Sequence, residues 1–441
     1  MKLSIKRALV STAITAAFAA PMAANATNGM NLEGYGPIAT GMGGASMAYD
    51  NGTAAVMNNP ATLGLMEDGD GRFDAALGML GPDVTATGAS AADSDGTMYW
   101  MPALGYAVRE GNLTYGIGVF SQGGMGTDYD TDTWPAMGEA QEVRSEVGVG
   151  RLILPVAFNV NDQLTLAGSA DLVWAGMDLR MSMPCSSLGG MVTGATDAFT
   201  AFACDAPNGF PGGGTDIAQL DFSDDSRFTG AAKGYGLAGK LGIHYQANDV
   251  LAVGATFHSR TYMSDLDAGV NFWGNGGILM TGDITVKNFQ WPSTFALGVS
   301  VTPSDKVQLA MDVKRIRWSE TMKNFEMTFS NAGGSMDFAM PMNWEDQTVV
   351  SLGGSFAVSD AVTLRAGYNK GTNPVPNSTL NYLFPATPEN HVTLGLGYVL
   401  EDDSEINVSY ARALMQTDTS GSGVKIDHAQ NNFQFMYSAK F

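Results

Sequence analysis

From about residue 72 to the C-terminus, apolar side chains recur at every second position in segments closed by turn residues. Val307, Leu309, Met311 and Val313 alternate with Gln308, Ala310, Asp312 and Lys314, so the two sets face opposite sides of a strand. Ile316 and Trp318 then resume the apolar set and Arg315 and Arg317 the polar one, which predicts a β-bulge between Val313 and Ile316. Val362, Leu364, Ala366 and Tyr368 share one face of a further strand, leaving Arg365 and Asn369 on the other. The chain ends on the same alternation, with Phe433, Phe435, Tyr437 and Phe441 on one face. Fourteen strands are predicted, near 72–82, 97–109, 112–120, 142–160, 163–181, 231–247, 250–268, 283–301, 306–319, 344–358, 361–371, 390–400, 404–415 and 430–441.

Tight connections fall at Glu110-Gly111, Asn161-Asp162, Asn248-Asp249, Pro303-Ser304-Asp305, Ser359-Asp360 and Asp402-Asp403. Between them lie long polar or Gly-rich loops near 83–96, 121–141, 182–230, 269–282, 320–343, 372–389 and 416–429. Short and long connections alternate throughout. An up-and-down bacterial barrel has short periplasmic turns and long external loops, whereas a sandwich or propeller has no reason to sort its loops this way. The expected fold class is therefore all-β, a 14-stranded antiparallel transmembrane β-barrel, with the domain over 67–441. The N-terminus fits export. Lys2, Lys6 and Arg7 precede the short apolar run Ala8–Ala20, and Ala24-Asn25-Ala26 fits the small-x-small cleavage rule, which predicts a signal peptide over 1–26. No later stretch of eighteen apolar residues exists, which excludes a helical membrane protein. The expected location is the outer membrane of a Gram-negative cell.

Composition adds limits. Hydrophobic residues make up 45 % of the chain and charged residues only 15 %, with 55 glycines. Without the signal peptide, 20 basic residues face 44 acidic ones, a balance that makes nucleic acid an unsuitable partner. Cys185 and Cys204 are the only cysteines, and an exported pair in one loop predicts a disulfide, with about 3 kcal/mol expected from loop closure. Asp128, Asp130, Asp132 and Glu139 follow an EF-hand count, but Thr133 replaces the turn glycine and Pro135 interrupts the loop, so no metal site is expected. Gly234-x-Gly-x-x-Gly239 lies in a strand with no following helix, and no cofactor is expected. Four histidines and no Gly-x-Ser-x-Gly elbow argue against an enzyme.

Thr27–Met66 lacks the alternation and is rich in Gly, Met, Ala and Asn, which suits a plug inside the lumen. Gly34-Tyr35-Gly36, Gly41-Met42-Gly43-Gly44-Ala45, Asp50-Asn51 and Asn59-Pro60-Ala61, with Trp291-Pro292-Ser293-Thr294-Phe295, Asp312, Trp318, Trp344, Leu364-Arg365-Ala366-Gly367-Tyr368, Pro374-Val375-Pro376, Pro385 and Gly395-Leu396-Gly397-Tyr398, carry a resemblance. The chain resembles the FadL/TodX family of outer-membrane transporters for long-chain fatty acids and other hydrophobic compounds. The resemblance implies an N-terminal hatch over 27–66 containing Asn59, Pro60 and Ala61, capture in an external apolar groove, hatch rearrangement and lateral release. Residues 180–285 match in layout only, and the strand at 112–120 is the expected place for the lateral opening.

Phe272, Trp273, Ile278 and Leu279 are groove candidates, because exposed apolar loop residues are costly without a purpose. Met336 and Met340, with Met342, suit ligands of varied shape. Met30, Met42, Met47, Met57 and Met66 serve equally well as plug packing. Lys314, Arg315, Arg317 and Arg365 are expected in the lumen; Lys314 and Arg317 are candidates to read a carboxylate, Asp312 and Arg365 to form an interior network. Long-chain fatty acids are the first expected substrate, aromatic hydrocarbons or alkanes the alternative, a general porin the third. The expected partners are a hydrophobic small molecule, outer-membrane lipid and lipopolysaccharide, and the barrel-assembly machinery, with the barrel a monomer.

Overall fold

The computed structural model describes residues 28–199, 217–226, 229–274 and 277–441. The expected signal peptide, Thr27 and Cys204 lie outside the described residues. The strands in chain order are β1 (Gly71–Thr87), β2 (Ala91–Asp93), β3 (Tyr99–Glu110), β4 (Leu113–Tyr129), β5 (Val143–Asn159), β6 (Leu164–Pro184) and β7 (Val192–Ala195). Next come β8 (Ile217–Phe222), β9 (Ala232–Gln246), β10 (Leu251–His258), β11 (Tyr262–Met263), β12 (Leu266–Gly274), β13 (Gly277–Lys287) and β14 (Thr294–Ser304). The last are β15 (Val307–Ile316), β16 (Asn324–Asn331), β17 (Gly334–Pro341), β18 (Gln347–Ala357), β19 (Val362–Gly371), β20 (Asn390–Val399), β21 (Glu405–Thr419) and β22 (Lys425–Lys440).

All 22 belong to one antiparallel sheet. It closes because β1 pairs with β3 on one side and with β22 on the other, from Arg72↔Lys440 to Thr87↔Lys425. Closure leaves no edge with unpaired backbone groups in contact with lipid. The expectation of fourteen strands is corrected here: the barrel wall holds 16. Where a loop is expected over 269–282, β12 and β13 form a hairpin at the outer rim that pairs with β9 and β16. The outer connections also carry β2, β7, β8, β11, β16 and β17, so the long loops are largely sheet. The sequence shows these only weakly, because rim strands lack a lipid face and hence lack clean apolar alternation.

The expected bulge in β15 is absent. Its pairing with β18 is unbroken from Val307↔Phe356 to Ile316↔Gln347, and with β14 it is continuous from Val301↔Leu309 to Thr294↔Ile316. Ladders on both sides hold the phase, so Ile316 turns inward and Arg315 stays on the outer face with Val313. Leu297, Leu309, Leu352, Leu364, Leu394, Phe433 and Phe435 are exposed on that outer face and form the apolar band.

Residues 28–66 are almost wholly buried and irregular, with one short helix α1 (Pro37–Gly41) and 3-10 turns at Ala54–Val56 and Pro60–Leu65. They lie against inward-facing glycines of the wall. A Cβ on Gly254 would come within 1.8 Å of Met47 O, and one on Gly367 within 2.1 Å of Gly43 N. Glycine is needed there for the close approach of backbone to backbone. The fold thus shows a segment seated in the lumen, and no movement of it.

Candidate functional site: an apolar column above a seated N-terminal segment

The seat is polar. Asn59 caps the Pro60–Leu65 turn by accepting from Ala61 N at 3.1 Å, while its amide donates to Met47 O at 2.7 Å and to Ile243 O at 3.0 Å. Pro60 at the first position of the turn needs no donor of its own. Asp312 accepts from Ser46 N at 2.7 Å and Met47 N at 3.2 Å, and Lys314 donates to Gly44 O at 2.9 Å. Lys240 donates to Met57 O and, at 3.3 Å, to Val56 O. Arg365 donates to Asn407 at 3.0 Å. Buried ionisable groups are kept where backbone dipoles or opposite charges satisfy them.

At one point the wall is bulged and bonds to this segment. The β4–β5 register shifts between Ser121 and Gly123. Gly123 adopts φ 152°, and a Cβ there would meet Met30 O at 2.0 Å. The groups freed by the bulge pair with the segment: Gly124 N donates to Met30 O at 3.0 Å, Tyr35 OH to Gln122 O at 2.6 Å, and Gln122 Nε2 to Asn31 Oδ1 at 2.9 Å. Behind Gln122 stand Arg151, 3.2 Å from Asp171, and His258, 2.9 Å from the same carboxylate.

Above the seat an apolar column rises to the rim. Trp318 packs edge-on against Trp291 at 5.6 Å and Trp344 at 5.3 Å between ring centroids. Trp291 donates to Asn31 Oδ1 at 2.9 Å and Trp318 to Gln347 at 3.3 Å, which ties the column to the seat. Higher up, Phe272 packs against Phe329 at 5.1 Å and Phe338 at 6.2 Å. At the foot of the column lies a cavity of about 60 Å³ whose lining includes Asn31, Tyr35, Met47, Lys240, Lys314 and Ile316.

The structure distributes the expected site residues unevenly. Phe272 and Met336 are fully buried in the column's outer part, and Leu279 and Met340 pack against it. Trp273 alternates to the other face of β12, and Ile278 is exposed. Lys314 and Asp312 are in the seat. Arg317 is exposed and paired with Glu320 at 2.8 Å, and Arg315 pairs with Asp346 at 3.3 Å, so these two stand outside the lumen. Cys185, which opens helix α2 (Cys185–Met191), is disulfide-bonded. Lys240, the Arg151–Asp171–His258 group and the role of the three tryptophans were missed. Lys240 had a signal: it sits between outward Leu237, Leu241 and Ile243 at an inward phase of β9.

A closed barrel with an apolar outer band and an apolar column above a seated N-terminal segment defines an outer-membrane channel for hydrophobic solutes. The family model described as outer membrane protein transport protein (OMPP1/FadL/TodX) matches residues 10–441, and the chain belongs to that family. Its members are transport channels and not enzymes. The toluene transporter TodX of P. putida superposes with a TM-score of 0.82 at 30 % identity, over 93 % of this chain and 99 % of that one. The toluene transporter TbuX of Ralstonia pickettii gives 0.77 at 27 % identity, over 93 % and 99 %. A FadL homologue from Pseudomonas aeruginosa gives 0.72 at 16 % identity, over 94 % and 99 %, a likeness of fold. An uncharacterized Chlorobium limicola protein, from the 5′ region of a phosphoenolpyruvate carboxykinase gene, is 55 % identical over 60 residues, which span 14 % of this chain and 30 % of that relative.

Proposed function

We propose that this outer-membrane transporter takes up small uncharged aromatic hydrocarbons. The observation that carries this reading is the buried Trp291–Trp318–Trp344 column, whose surroundings suit an aromatic ring and hold no charge for an acid. The likeness to two toluene transporters supports it. A solute captured among Phe272, Phe329 and Phe338 would descend past the tryptophans to the cavity at the seat. That cavity, about 60 Å³, is smaller than the roughly 150 Å³ that holds benzene in a dry protein interior. Passage therefore requires residues 28–66 to shift, and in this reading they act as the hatch. The β4 bulge at Gln122, held closed by Asn31 and Tyr35, is the lateral exit.

A second reading, long-chain fatty acids, is favoured by one observation: Lys240 and Lys314 both line the cavity. Their ammonium groups donate to backbone carbonyls, and a carboxylate would have to replace those partners. Binding of toluene and of oleate to the purified barrel separates the two. Toluene preference supports the proposal; oleate preference that is lost in Lys314→Gln or Lys240→Gln establishes the second reading and overturns the first.

A further inference from the structure

The outer wall carries a feature that transport through the lumen does not use. Beneath the β12–β13 hairpin, between the chain at 260–264 and that at 320–326, lies a cavity of about 580 Å³. It opens on the lipid side: Tyr262 is cross-strand partner to Leu237, and both are exposed, at 65 % and 58 %. Directly below, Leu241, Phe257 and Phe295 form one outward row across β9, β10 and β14. The long-loop end of the barrel is the external one, so the cavity sits where the apolar band meets the headgroups of the outer leaflet.

Its cations are available. Arg260 lies over the Tyr262 ring at 5.3 Å, and neither it nor Lys323 has a carboxylate partner among the described residues. Of the two glutamates in the lining, Glu320 is paired with Arg317 at 2.8 Å and accepts from Ser293 at 2.8 Å; Glu326 accepts from Asn324 at 3.5 Å. Thr321, Ser264 and Gln290 add neutral hydrogen-bonding groups. In a chain with 23 basic and 44 acidic residues, Arg260 and Lys323 face one recess above an apolar wall without a carboxylate partner of their own among the described residues.

We propose that this recess binds the phosphate of an outer-leaflet glycolipid, with Arg260 and Lys323 on the phosphate and the acyl chains along Leu237, Phe257 and Phe295. Arginine supplies a planar fork and lysine a point charge, the pair that suits a phosphate ester. The apolar row selects a lipid over a free anion, since inorganic phosphate gains nothing from it. The site is independent of which solute crosses the lumen.

The test uses the full barrel, delipidated in detergent, titrated with diphosphorylated lipid A, with the same glycolipid stripped of phosphate, and with inorganic phosphate. The expected result is tighter binding of the phosphorylated lipid than of either control. Each cation at an anionic lipid surface contributes about 1 kcal/mol, so Arg260→Gln/Lys323→Gln should weaken that binding about thirtyfold. Both residues are exposed, and heat-modifiable gel mobility checks that the variant barrel is folded. Equal binding of the two glycolipids, no binding of either, inorganic phosphate matching the lipid, or full affinity in the folded variant each overturns the proposal.

Discussion

Replacing Asn59 with alanine removes three hydrogen bonds from one side chain and leaves the strands intact. The cap to Ala61 N contributes about 1 kcal/mol. Two carbonyls lose their donor, Met47 O in a buried bond and Ile243 O in a half-buried one, and each unsatisfied group costs about 1–3 kcal/mol. The sum is about 3–7 kcal/mol against the seated state of residues 28–66, while the closed ladder of the wall is untouched. Hydrogen exchange reads this directly, because amides in the segment, such as Gly44 N, Val56 N and Met57 N, are bonded within it and exchange through its local opening. A shift near 4 kcal/mol speeds their exchange about a thousandfold, with wall amides as the internal reference. Asn59→Asp keeps the cap acceptor but sets a buried carboxylate against the Met47 and Ile243 carbonyl oxygens, which outweighs the cap, so it should exchange at least as fast as the alanine variant. Exchange in Asn59→Ala within threefold of wild type would refute the argument, since Asn59 would then not hold the seat.

Gly367→Ala and Gly254→Ala place a methyl group against the segment's backbone while the strands themselves accept alanine. Both should raise ion conductance in planar bilayers by displacing the segment, and unchanged conductance counts against a seat defined by close approach. Asp50 lies at 2.7 Å from Arg72, which ties the segment to the foot of β1. Burial pushes the Asp50 carboxyl up, but the Arg72 guanidinium outweighs it and holds the carboxyl below the usual range. A depressed carboxyl stabilises above its unfolded value, about 3.9, and that contribution is lost as pH falls through the lower folded value. Segment exchange should therefore accelerate below about pH 4 in wild type and show a weaker pH response in Asp50→Asn. Reduction of the Cys185 disulfide should speed exchange in α2 and β7 and leave the Trp291–Trp318–Trp344 column unaffected; matching acceleration at Trp291 N would contradict a loop-confined role.

Much of the membrane wall is legible because lipid enforces a strict period of two. Phe433, Phe435 and Tyr437 emerge on one exposed face, as do Leu309, Met311 and Val313. The rim was not legible for the opposite physical reason. Phe272, Phe329 and Phe338 point inward, their outward neighbours face water, and the mixed pattern reads as loop. The phase error at Arg315 has the same root. Near the headgroups an arginine on the outer face is tolerated, so polarity no longer reports direction; here Thr348 Oγ1 accepts from Arg315 at 2.7 Å above the band. The seat was partly legible through Asn59-Pro60-Ala61. Its wall partners Asp312, Lys314 and Lys240 come from strands distant in sequence, and no local pattern states which backbone carbonyl a buried lysine will reach.

The proposed route also constrains how firmly the segment can be held. Lys240 and Lys314 meet carbonyl oxygens and not carboxylates, and Gln122 meets Asn31 and Tyr35 through neutral bonds. A hydrogen bond between neutral groups, as at Gln122, contributes about 0.5–1.5 kcal/mol net, and one with a charged donor, as at Lys240 and Lys314, about 1.5–3 kcal/mol. A buried ion pair broken by motion leaves two unpaired charges and costs several times more. The strong pairing, Arg151 with Asp171 and His258, lies between wall strands β5, β6 and β10, where nothing needs to move. On the proposed route the wall keeps its buried charge pairs, while at the seat Lys240, Lys314 and Asp312 bond only backbone groups and Asp50–Arg72 is the ion pair that a moving segment would have to break.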